Sequence, residues 1–296
     1  MKKYLPYIIL ILLLFLLNEA STAQTTTTLQ VVTKVVEKTL PFKPNQTLKI
    51  KGVKSKIEIT GWDKEEVKIK VSLISKNIDK KTAENDLTHI KQSISKTSSG
   101  LLLTNDYDAG KIGSGLSVMY EIMIPSKCQL DIKNSYGNVL VKEINGKLAL
   151  DVEYGNIDLY NISGVINIKS YFNDITAENL STSLSSIISN HSDIKLSNIK
   201  GNYTIENTYG DLSILSINEV KKLSIKSSKS DVNVFTNGMN KYNYNLSTNY
   251  GEIKLPLDTK YHLTENTETQ KKLISSAPNI SNIITISNSF GDVTIR

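Results

Sequence analysis

One short phrase recurs along this chain and limits what it can fold into. NTYGDLSIL at Asn207–Leu215 returns as NSYGNVLVK from Asn134, VEYGNIDLY from Val152, TNYGEIKLP from Thr248 and NSFGDVTIR from Asn288. With the aromatic-glycine pair as register, the corners fall at Tyr136-Gly137, Tyr154-Gly155, Phe172-Asn173, His191-Ser192, Tyr209-Gly210, Lys229-Ser230, Tyr250-Gly251 and Phe290-Gly291, at spacings of 18, 18, 19, 18, 20, 21 and 40 residues. A period near 18–20 marks a solenoid in which each coil buries its apolar side against its neighbours. A second turn sits midway in many coils, at Asn145-Gly146, Ser163-Gly164, Lys200-Gly201 and Asn218-Glu219, so each coil should hold two strands.

Within GKLALDVEYGNIDLY the inward set reads Leu148, Leu150, Val152 and Tyr154, then Ile157 and Leu159 after the corner. A period-2 pattern changes phase only at a turn or bulge. This parity predicts the aromatic column as an internal stack, with glycine supplying a positive φ. Asn138, Asn156, Asp174, Asp193, Asp211, Asp231, Glu252 and Asp292 follow the hinge as a polar column. Asp and Asn are ordinary turn residues, and one side chain per coil makes a weak calcium signature.

The first 23 residues read as a secretory signal peptide: Lys2 and Lys3, an apolar run from Tyr4 to Leu17, then Ser21 and Ala23 before Gln24. The apolar run is too short to span a bilayer. The product is expected in the periplasm, on the outer-membrane surface or outside the cell, with no transmembrane anchor after cleavage. Cys128 is the single cysteine, so no intrachain disulfide is available. The formal charge of +6 comes from scattered lysines alternating with apolar residues, as on a solvated strand face, and Arg296 is the only arginine. That pattern argues against nucleic acid.

Residues 24–46 read as a polar leader with one strand, VVTKVV, and 47–127 as a strand-helix-strand region. Turns are expected at Gly52 and at Gly61-Trp62-Asp63, and a helix between Asp79 and Ser98 from Ala83, Leu87, Ile90 and Ile94 at i, i+4, i+7 and i+11. Residues 128–296 carry the repeats, with 257–283 as a long loop that could fold over the solenoid end; failing that, the end could self-associate. The fold class is therefore all-β, a parallel β-solenoid or β-helix of about seven or eight coils with an N-terminal strand-helix-strand cap.

IEITGWDKEEVKI, a helix, YEIMIP and then SYGNV-type coils, in that order behind a signal peptide, resemble the bacterial putative-adhesin family, a β-strand-repeat domain of unknown function. The resemblance spans Leu48 to Arg296. It implies a β-solenoid at the cell envelope and brings no catalytic residue set, so no catalytic, metal or cofactor residue is assigned. His89, His191 and His262 are isolated, and Cys128 reads as a buried small hydrophobe. Tyr160, Tyr171, Tyr242 and Tyr244 are the tyrosines expected to be exposed and to contact a protein or polysaccharide partner. The competing reading is a polysaccharide-active β-helix lyase or hydrolase.

Overall fold

The computed structural model describes residues 28–108, 110–256, 261–276 and 279–296. The expected signal peptide lies outside them. Alternating burial organises the repeats into coils. Strand β8 (Gln129–Ser135) leads through a corner into β9 (Val139–Ile144), and β10 (Lys147–Glu153) through the next corner into β11 (Ile157–Tyr171). Strands β12 (Ile175–Asn190), β13 (Ile194–Thr208) and β14 (Leu212–Ser228) continue the winding, followed by β15 (Val232–Thr236). Equivalent residues pair in parallel from coil to coil, Leu130 with Leu148 and Leu148 with Ile166 on one face, Val139 with Ile157 and Ile157 with Ile175 on the other. Side chains of both faces meet in one apolar interior, where Leu148, Val152, Ile157, Leu159 and Ile162 are fully buried. Each such side chain contributes about 1.5–3 kcal/mol by leaving water.

The region before the repeats belongs to the same sheet. Strands β2 (Thr47–Val53) and β3 (Ser55–Trp62) pair directly with β8 and β9. Outside them lie β6 (Gly100–Tyr107) and β7 (Gly115–Pro125). The bend between β2 and β3 falls at Lys54, φ 49°, and not at Gly52, which lies within β2. Strand β5 (Ile90–Thr97) closes one face antiparallel to β6; on the other, β4 (Glu66–Asn77) pairs antiparallel with β7 and β1 (Gln30–Pro41) antiparallel with β4. Strand β1 fills most of the expected leader. Its Lys34 and Lys38 stand opposite the buried Leu73 and Ile69, so this edge carries charges on its inward side, a device that blocks further pairing.

The expected long helix is short: α1 spans Lys80–Asp86, with Asp79 as N-cap accepting from the Thr82 N–H. Ile90 and Ile94 lie instead in β5, across from Tyr107 and Leu103. A spacing of four residues satisfies both a helical face and a strand face, and antiparallel pairing with β6 decides between them.

Chain order and spatial order part company at the far end. Strand β16 (Asn243–Asn249) and the short β17 (Ile253–Lys254) do not stack on β14 and β15. The gap is filled by β20 (Ile283–Ser289), paired in parallel with both β14 and β16, and by β21 (Val293–Ile295), paired with both β15 and β17. The 40-residue last spacing therefore comprises an excursion and a return. On that excursion β19 (Gln270–Ser275) pairs antiparallel with the open edge of β16, and β18 (Glu265–Asn266) pairs with β19. The expected covering segment thus lies over the β16 coil, not over GDVTIR, which is internal.

Tyr242 and Tyr244 are 2% and 1% exposed, against the expectation of surface residues; Tyr242 packs edge-on with Tyr244, and Tyr244 with Tyr261. They are inward positions of an end coil, where the interior needs a bulky plug.

Candidate functional site

The corners are the most regular surface feature, and their geometry reverses two expectations. The aromatic residue, not the glycine, holds the left-handed backbone: φ is 59° at Tyr136, 55° at Tyr154, 56° at Phe172, 54° at His191, 55° at Tyr209, 54° at Lys229, 55° at Tyr250 and 57° at Phe290. The phase slip therefore occurs at the aromatic and turns its ring outward. Tyr136, Tyr154, Phe172, Tyr209, Tyr250 and Phe290 are all exposed, between 43% and 61%. Glycine is needed for close approach: a Cβ on Gly155 would stand 2.1 Å from the carbonyl oxygen of Gly137 in the preceding coil, and Gly137, Gly210, Gly251 and Gly291 are equally confined.

The rings stack along the molecule. Tyr136 to Tyr154, Tyr154 to Phe172, Phe172 to His191 and His191 to Tyr209 have centroids 4.9, 5.2, 4.8 and 4.6 Å apart, tilted by 5° to 22°. Lys229 ends this run, its ammonium 4.4 Å from the Tyr209 ring centre. Phe290 and Tyr250 form a second stack at 5.1 Å.

Two residues past each ring, the polar column is joined by hydrogen bonds between coils. The backbone N–H of Asn156 donates to Asn138 Oδ1, that of Asp211 to Asp193 Oδ1 at 2.8 Å, that of Asp231 to Asp211 Oδ1 at 2.9 Å, that of Asp292 to Asp231 Oδ1 at 2.8 Å and that of Glu252 to Asp292 Oδ1 at 2.8 Å. The column follows spatial order, Asp231 to Asp292 to Glu252. Lys254 pairs with Asp292 at 2.6 Å and holds its carboxyl below the usual range.

Under the corner runs a seam that the sequence reading left unexplained: the residue two places before each ring. Asn134, Ser170, Ser189, Asn207, Ser227, Thr248 and Asn288 are buried there. Asn134 Nδ2 donates to the Gly137 carbonyl at 2.7 Å, Asn207 Nδ2 to that of Gly210, Thr248 Oγ1 to that of Gly291 and Asn288 Nδ2 to that of Ser230. The signal was the asparagine that opens NTYG, NSYG and NSFG. A second ladder joins the opposite turns, where Asn161 donates to Glu143 and Asn179 to Asn161, and Asn198 and Asn218 continue the series. Its members recur at the corner spacing.

Tyr160 and Tyr171 are partly exposed on opposite faces, and Lys142 lies over the Tyr160 ring at 5.6 Å. A shallow depression of about 330 Å³ on the strand face that also carries Tyr171 is lined by Asp131, Ala149, Asp151, Asn167, Lys169 and Ser186. Cys128 is fully buried, and burial pushes its thiol up to about 12, far from a nucleophile's range. Among the described residues no three His, Cys, Asp or Glu side chains cluster to hold a metal ion, and no helix is long and apolar enough to cross a membrane.

No protein of curated function matches the chain. The chain is similar to the crystal structures of a putative cell adhesion protein from Clostridium sporogenes (13% identity, 88% of this chain and 99% of that one, TM-score 0.28) and a putative adhesin from Parabacteroides merdae (12%, 89% and 96%, 0.29). A putative lipid binding protein from Parabacteroides distasonis is similar at 13% identity, over 89% of this chain and 97% of that one, with a TM-score of 0.39. One family matches residues 26–296, nearly the whole chain, and the chain belongs to it: Toastrack DUF4097.

Proposed function

We propose that this protein is a non-catalytic, exported scaffold of the cell envelope or cell surface that presents an extended β-face to a protein or polysaccharide partner. The observation that carries this reading is the in-register outer surface of β8, β10, β11 and β12. Asp131, Ala149, Asn167 and Ser186 repeat there at one strand spacing and form the floor of an open, shallow depression. A repeating surface of low relief suits a partner that is itself extended, whereas small-molecule chemistry uses deep, largely apolar pockets with convergent polar groups. Export rests on the Lys2-Lys3 and Tyr4–Leu17 pattern, and the names of the similar adhesins agree with a surface role.

The test is a glycan array and an envelope-protein pull-down with the purified domain, repeated with Tyr171→Ala and Tyr160→Ala. A ligand lost with either substitution while the thermal melt stays unchanged supports the reading. Release of unsaturated or reducing ends from acidic polysaccharides would overturn it.

A further inference from the structure

The aromatic and carboxylate columns run side by side at the same corners, and together they define a ligand. Tyr154, Phe172 and His191 carry a neighbouring ring on both faces and Tyr136 and Tyr209 on one, the Lys229 ammonium lying over Tyr209, so the column shows solvent a comb of ring edges. An aromatic edge carries the positive end of the ring quadrupole and favours the face of another π-system laid against it. A sugar would stack on ring faces, and along the middle of the column these are occupied. The partner such a comb suits is flat, aromatic and elongated along the solenoid axis, touching several edges at once.

The second column adds a charge. Asp174, Asp193, Asp211 and Asp231 are exposed and recur at one strand spacing of about 4.8 Å. Each uses Oδ1 to accept the N–H of the next coil. The ion pairs along this column among the described residues, Lys254 with Asp292 and Lys271 with Glu252, lie at its far end. On a chain of net charge +6 this is a local negative row. Nothing rises between the two columns, because the intervening residues are Gly137, Gly155 and Gly210, or Asn173 and Ser192, whose side chains are buried.

We propose that the corner from Tyr136 to Asp211 is a binding strip for elongated planar aromatic cations, their π-face across the ring edges and their charge over the carboxylates. This is separate from whatever the strand faces bind, and its test does not depend on that partner.

Thioflavin T, a benzothiazolium cation that fluoresces when held rigid, serves as the probe and is titrated into the intact protein in low and high salt. Its uncharged benzothiazole analogue and the anionic dye 8-anilinonaphthalene-1-sulfonate are titrated in parallel. The expected result is saturable binding of the cation, weakened by salt, with the neutral analogue weaker and the anion not competing. Asp174→Asn, Asp193→Asn and Asp211→Asn combined should weaken the cation about tenfold and leave the neutral analogue unchanged. Asn138 and Asn156 already occupy this column, so the inter-coil bonds survive the change. Phe172→Ala should weaken both benzothiazoles. Equal affinity for cation and neutral analogue on the unmodified protein, displacement by the anion, or indifference to both sets of substitutions in variants that melt normally would overturn the proposal.

Discussion

An aromatic side chain in the left-handed region costs about 1–2 kcal/mol, yet this chain repeats that arrangement from corner to corner. The cost is offset by what the geometry allows: outward rings that stack on two neighbours, each contact contributing about 0.5–1.5 kcal/mol. Tyr154→Ala keeps the strained backbone and loses both stacks, so urea melts should show it destabilised by about 1–3 kcal/mol. Tyr154→Gly relieves the strain and should fall between Ala and the unmodified protein. Below the corner, Asn207→Val is a sharper test of the seam. Val152 occupies the same column three coils earlier, so the side chain fits, but the Gly210 carbonyl keeps the Ser230 hydroxyl and loses its Asn207 donor, and the buried Ser189 hydroxyl loses its acceptor. A loss of about 1–3 kcal/mol is expected in the same measurement.

The elements at the two ends are held by different means. At the first end the carboxylate of Asp86, buried at the end of α1, accepts from the backbone N–H groups of Gly113 and Ser114 at 3.0 and 2.9 Å and ties the loop before β7 to the helix. The Ser114 hydroxyl and these N–H groups hold its carboxyl below the usual range, against the opposing effect of burial. A lowered folded-state value means the contribution is present above the usual carboxylate range and is lost as pH falls through the folded value. Asp86→Asn should therefore lower the melting temperature at pH 7, and the gap from the unmodified protein should narrow toward pH 3. At the second end, β18 and β19 cover the edge of β16 and bury Leu273. Removal of residues 264–276 should leave a parallel edge beside Tyr244, seen as concentration-dependent association in light scattering.

The solenoid and its period were legible in the sequence because every coil repeats the same demand on the same columns; the second turn was overread, since β11, β12, β13 and β14 each run unbroken from corner to corner with a local register shift there. The outward rings were not legible. Alternation predicts Tyr154 inward, and only the left-handed φ at that residue moves the slip one position earlier. Nor was the insertion of β20 between β14 and β16 legible, since its NSFGDVTIR motif matches every other corner and carries no address. Hydrogen exchange distinguishes the true arrangement from simple sequential stacking. Amides of Ile284 and Ile286, with a parallel partner strand on each side, should exchange among the slowest in the molecule, although they lie within the last 14 residues of the sequence.

That inserted coil also decides how the molecule would respond to mechanical load. A solenoid whose final strands formed its outermost layer would peel under tension, one row of bonds at a time. Here a pull at Arg296 acts on β21, which is gripped by β15 on one side and β17 on the other, so two rows must rupture together before any length is released.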